Sequence, residues 1–149
     1  MYDSKKDTLD HISKVSKFMK ILMVELIERA KGHDASKLEE PEKAIFDEVT
    51  SKLNKLTYGS DEYKASLKDM KVALDHHYSE NRHHPEHFDE GMRDMNLVDL
   101  CEMMADWKAA SERHADGDIL KSLDINQKRF QYSDELKQIF INTVKLFEN

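Results

Sequence analysis

The sequence predicts an all-α fold, a compact single-domain bundle of five to seven helices. Three observations carry this expectation. Apolar side chains recur at helical spacing along most of the 149 residues, there are only four glycines and two prolines, and no stretch alternates with the two-residue period of a strand. The length suits one domain with a core of its own, and no composition break marks a second, so residues 1–149 are taken as one unit.

The first helix is expected over residues 8 to 30, where Leu9, Ile12, Val15, Phe18, Met19, Leu22 and Leu26 form one broad stripe and Gly32 offers a stop. "SKLE" at 36–39 has the form of a capping box, and Pro41 suits a first turn, which predicts a second helix over about 41 to 56. A third starts at Ser60 and carries Tyr63, Leu67, Met70, Val72 and Leu74 to about Tyr78. "ENRHHPEHFDEG" is expected to be a loop, because the residue before Pro85 is disfavoured in the helical region. "MNLVDLCEMMADWKAASERH", "GDILKSLDINQKRF" and "SDELKQIFINTVKLF" supply three more helices, the last capped by Ser133.

Composition excludes several function classes. The net charge is −7 with acids and bases interspersed, which is no footprint for a long nucleic acid. The longest apolar run, "ILMV" at 21–24, is far short of a bilayer span, and the charged N-terminus is unlike a signal peptide, so a cytoplasmic location is expected. The single cysteine, Cys101, rules out an internal disulfide and a cysteine-rich zinc site, and any metal falls to His, Asp and Glu.

Five of the eight histidines lie between 76 and 87, in "HHYSENRHHPEH". Buried imidazoles without partners are costly, so such density asks for a reason. His11 shares a helix face with Val15, Phe18 and Leu22, and Asp106 stands among apolar and small residues in "MMADWKAA", beside the face of Leu100, Met103, Trp107 and Ala110. Each has a plainer explanation. A lone histidine on an apolar face is more often a satisfied core residue, Asp34 in "KGHDASK" reads as a helix cap, and "HHPEH" as a solvated loop. Met92, Met95, Met103 and Met104 read as core, Cys101 as a small buried hydrophobe, and the charged stretch 37–55 as a solvated helix face.

The order of these elements resembles the HD-domain superfamily of metal-dependent phosphohydrolases. His11, the pair His33 and Asp34, and Asp106 follow the order of that superfamily's defining ligands on a helical bundle. "HDASK" is similar to its His-Asp-x-x-Lys form, which would put Lys37 near a substrate phosphate, and His76, His77, His83 and His84 resemble the extra histidines of members with two or more metals. The second histidine group departs from the usual spelling of those members, leaving open which histidine of each pair ligates. "ALDHHYSENRHHPEHF", "NLVDLCEMMADWKAA" and "GDILKSLDIN" also look like a family of uncharacterised phage and bacterial proteins spanning about 33 to 145.

The resemblance implies one or two divalent ions among Mn, Fe, Co, Ni, Zn and Mg, bridged by Asp34 and anchored by His33 and Asp106. It implies hydrolysis of a small phosphorylated substrate such as a nucleotide, with Glu80 or an unligated histidine moving protons and Lys37, Arg82 and Lys121 contacting phosphate. Two other readings stand beside it: a di-iron oxygenase of the same superfamily, and a non-catalytic helical module binding a nucleotide or a protein. Ile139, Phe140, Val144 and Phe147 on the last helix would serve a homodimer or the core equally well.

Overall fold

The computed structural model describes residues 2–53, 70–113 and 117–148. The expected cap Ser60, with Tyr63 and Leu67, lies outside the described residues, as does His114. Among the described residues the chain is all-helical, with six α-helices: α1 (Lys5–Gly32), α2 (Glu42–Leu53), α3 (Lys71–Glu80), α4 (Leu97–Ser111), α5 (Ile119–Phe130) and α6 (Asp134–Val144). None of the helices found among them is long and apolar enough to cross a membrane.

By its contacts the chain divides into two units, Met1–His33 and Asp34–Asn149. The first unit is α1, which runs 28 residues and matches the predicted stripe. Gly32 is its last helical residue and not a left-handed stop: His33 leaves the helical region at φ −52°, ψ 124°.

In the second unit, α4, α5 and α6 enclose the apolar core. Met103, Met104, Ile119, Leu123, Tyr132, Phe140 and Val144 are buried together, with Met92, Met95 and Trp107 packed against them. All four methionines assigned to the core are there. Trp107 stacks on Phe130 at 6.1 Å between ring centroids and 7° between planes, and meets Phe140 edge-on. The Tyr132 hydroxyl donates to the Leu123 carbonyl at 2.7 Å, closing the α5–α6 turn over the core. Burial, with the nearby Asp124 charge, pushes its phenol up to about 12.

The helix starts follow local chemistry. Asn96 caps α4 by accepting from the Val98 and Asp99 N–H groups, while Asp99 accepts from the Asn96 N–H, a reciprocal box. Asp118 caps α5, and Ser133 caps α6 as predicted. The expected box at 36–39 is different. Residues 35–38 form a short 3₁₀ turn, and the Ser36 hydroxyl lies against His77 and Asn81. The turn packs on α2 and α3, and the 81–96 connection carries two more 3₁₀ turns, Pro85–His87 and Gly91–Arg93.

Two expectations are overturned. Cys101 is exposed, because on α4 it shares a stripe with exposed Ala105, four residues on, while Asp99 and Met103 take the inner face. The charged stretch 37–55 is no uniform solvated face either: Lys43 and Asp47 pair in solvent, but Glu42 is 0% exposed.

Truncating Leu123 to Ala in the centre of this core is expected to cost about 2–5 kcal/mol in urea-unfolding free energy, whereas Cys101→Ala stays within about 0.5 kcal/mol.

Candidate metal centre

Asp34 opens the second unit in a left-handed conformation, φ 57°, ψ 15°, which Asp tolerates better than most residues. It stands at the cap position of the 35–38 turn, yet its side chain makes no capping hydrogen bond. Its carboxylate faces inward instead. Oδ2 takes the Lys37 ammonium at 2.6 Å, and Oδ1 lies 3.3 Å from His77 Nε2 and 3.5 Å from His83 Nε2. His77 Nε2 is also 2.9 Å from His84 Nε2.

Three elements deliver these groups. The 35–38 turn carries Asp34 and Lys37, α3 carries His77, and the bend that follows α3 carries His83 and His84 ahead of Pro85. His77 and His83 are 2% and 1% exposed. Asp34, His77, His83 and His84 each offer one ligand atom, and all four atoms lie within 4.8 Å of one another. Three imidazoles and a carboxylate are a donor set for borderline divalent ions such as Zn, Fe, Co or Ni.

Behind the imidazoles stand carboxylates. Glu42 at the start of α2 spans both residues of the first histidine pair, with Oε1 2.7 Å from His76 Nδ1 and Oε2 2.9 Å from His77 Nδ1. Burial alone would raise the Glu42 carboxyl, but hydrogen bonds from His76, Ser36 and His77 outweigh it and hold the group below the ordinary carboxylate range. Glu102 Oε1 lies 3.2 Å from His83 Nδ1. Carboxylates on the far nitrogens of ligating histidines are the usual support of a metal site.

The acids of α4 form a ladder. Arg82 pairs bidentately with buried Asp99 at 3.2 and 3.0 Å, His83 faces Glu102, and the Asp106 charge acts on His84. Residues 99, 102 and 106 share one helix face, so Arg82 and His83 meet two acids at helical spacing and the charge of the third acts on His84.

The sequence reading named Asp34, Lys37, His77, His83, His84 and Asp106 in this region, and the structure gathers them. It distinguishes the members of the first pair: His77 joins the group, while His76, its side chain 37% exposed, takes the other oxygen of Glu42. Two of the remaining expected residues belong to the first unit. His11 is on α1 and His33 ends that helix, both in the first unit. Glu80 is exposed at the end of α3, Arg82 is held by Asp99 and lies over the Phe88 ring, and Lys121 is exposed on α5 near Asp118. His87 bonds the Tyr78 carbonyl through Nδ1. Glu42, Glu102, Ser36 and Asn81 were not foreseen, although the spacing of 99, 102 and 106 was a legible signal for Glu102.

A family model described as a family of unknown function, DUF5662, matches residues 1–147. The chain belongs to DUF5662. No curated protein and no solved structure matches it.

Burial and the nearby charges of His83 and His77 push His84 down to about 3, against the opposing pull of Asp106 and Asp34. The unfolded imidazole titrates near 6.5, so between these values the unfolded chain binds more protons. The contribution of His84 to stability is complete above pH ~6.5 and drains away as pH falls toward about 3. Urea midpoints of the metal-free protein, measured in chelator, are expected to fall through that window, and His84→Gln to flatten the decline.

Proposed function

We propose that Asp34, His77, His83 and His84 hold a divalent metal ion, and that this DUF5662 protein is a metal-dependent phosphohydrolase acting on a small phosphate ester, nucleotides included. One observation carries the reading: three histidines and an aspartate from separate segments converge within 4.8 Å, with carboxylates behind two of the imidazoles. A carboxylate oxygen and ring nitrogens gathered this closely repel wherever lone pairs meet, and a cation turns that repulsion into attraction. The resemblance to the HD-domain superfamily supports the same chemistry through Asp34, Lys37 and Asp106.

When bound, the ion would supply Lewis acidity, lowering the pKa of a water and offsetting charge on a phosphoryl oxygen. The chain's own groups do the rest. Lys37, held at Asp34 Oδ2 and 5.8 Å over the Phe46 ring, keeps a third of its side chain in solvent, so its ammonium can orient an incoming phosphate without leaving the carboxylate. Burial of His77 and His83 keeps bulk water from the donor nitrogens. His76, exposed at the rim and hydrogen-bonded to Glu42, is the group placed to pass protons outward. The lone thiol and the absence of a spanning helix among the described residues support a cytoplasmic location.

A second reading rests on the same count of ligands. Four protein donors also complete a closed structural site, in which the ion holds the turn, α3 and the bend together and performs no reaction.

Elemental analysis of untagged protein is expected to find bound metal in wild type and His87→Ala and none in Asp34→Ala or His77→Ala. A mere cap at Asp34 would cost about 1 kcal/mol and leave metal content unchanged. With metal established, hydrolysis of nucleotides in Mn, Co, Ni or Mg, falling at least tenfold in Lys37→Ala, supports the hydrolase. Tight metal without hydrolysis supports the structural reading, and no metal in any form ends both.

A further inference from the structure

We propose that Glu42 is a positioning residue: it fixes the proton of His77 on Nδ1 and so commits Nε2, as a lone-pair donor, to the metal. The proposal rests on the metal reading above and adds to it the group that prepares the ligand before the ion arrives.

The hydrogen-bond accounting around His77 leaves one arrangement. Three groups approach His77 Nδ1: Asn81 Nδ2 at 3.0 Å, Ser36 Oγ at 3.3 Å and Glu42 Oε2 at 2.9 Å. Both amide hydrogens of Asn81 have better acceptors, the Ser36 hydroxyl and the His77 carbonyl, each at 2.8 Å. The Ser36 hydroxyl hydrogen goes to Glu42. Neither group has a hydrogen left for Nδ1, and the carboxylate can only accept. Nδ1 therefore donates to Glu42, and in the neutral ring Nε2 carries the lone pair, 3.3 Å from Asp34 Oδ1 and 2.9 Å from His84 Nε2.

His76 makes this arrangement exacting. It occupies the second oxygen of the same carboxylate, Oε1, at 2.7 Å. A carboxylate serves two imidazole N–H groups at once, but an amide offers one oxygen and one NH₂. In Glu42→Gln one of the two histidines must face a donor. If that histidine is His77, its proton moves to Nε2 and blocks ligation. Removing His76 frees the amide to turn its oxygen to His77.

The test is the affinity of purified protein for Co²⁺, by competition with a chelator and by the intensity of the visible ligand-field bands. Glu42→Gln is expected to lower affinity 10- to 100-fold. The double variant Glu42→Gln/His76→Leu is expected to recover most of that loss, which a merely structural role for Glu42 does not predict. Circular dichroism in chelator shows whether each variant folds. Should Glu42→Gln fail to fold, Glu42→Asp, which keeps two oxygens at a shorter reach, is expected to bind Co²⁺ within tenfold of wild type, and loss of binding in folded Glu42→Asp/His76→Leu overturns the proposal. Equal affinity in wild type and Glu42→Gln, or no recovery in the double variant, also overturns it while leaving the metal site intact. Failure of wild type to bind Co²⁺ removes the site itself.

Discussion

The pairing of Arg82 with Asp99 and of His83 with Glu102 is the interaction on which the second unit depends. The apolar core lies among α4, α5 and α6, while the histidines and Asp34 come from the turn, α3 and the bend. Met92 and Met95 of the 81–96 connection pack against that core. Charged contacts add to this along one face of α4. Because Asp99 is fully buried, its bidentate guanidinium partner is required: an unpaired carboxylate there would cost several kcal/mol, on the order of 3–5. The bend cannot drift along the helix, since a shift of one residue would turn each acid by about 100° away from its partner.

Much of the helical frame was legible. α1, α5 and α6 were recovered within a few residues, because their apolar positions repeat at the helical period and Ser133 marks the start of the last. The motif at 36–39 misled for a physical reason. A serine followed three residues later by an acid satisfies the pattern of a capping box, but here the Ser36 hydroxyl has partners on another helix, so tertiary contacts displaced the local ones. Cys101 was misjudged by composition, since a cysteine amid methionines on a helix is usually buried, and only the angular position on α4 decides otherwise.

The candidate site was half legible. Asp34 and the histidines announce themselves as rare residue types in unusual density. Glu42 and Glu102 do not, because in a chain where 36% of residues are charged an acid carries almost no information by itself. What marks Glu42 is burial, a property of the fold, and no spacing rule links it to His76 and His77 more than thirty residues away. Asp34 itself has the side chain of a helix cap in sequence and of a site residue in structure.

The left-handed backbone at Asp34 narrows what chemistry can occupy that position. Glycine, asparagine and aspartate accept such a φ at small cost, and other residues meet steric resistance of roughly 1–2 kcal/mol. Of those three only aspartate brings an anionic oxygen to Lys37, His77 and His83. Glutamate, the other carboxylate, carries that backbone cost, which Gln131 at φ 54° shows the fold can bear elsewhere, and asparagine lacks the charge. Backbone and charge together therefore make aspartate the residue that fits position 34 at least cost.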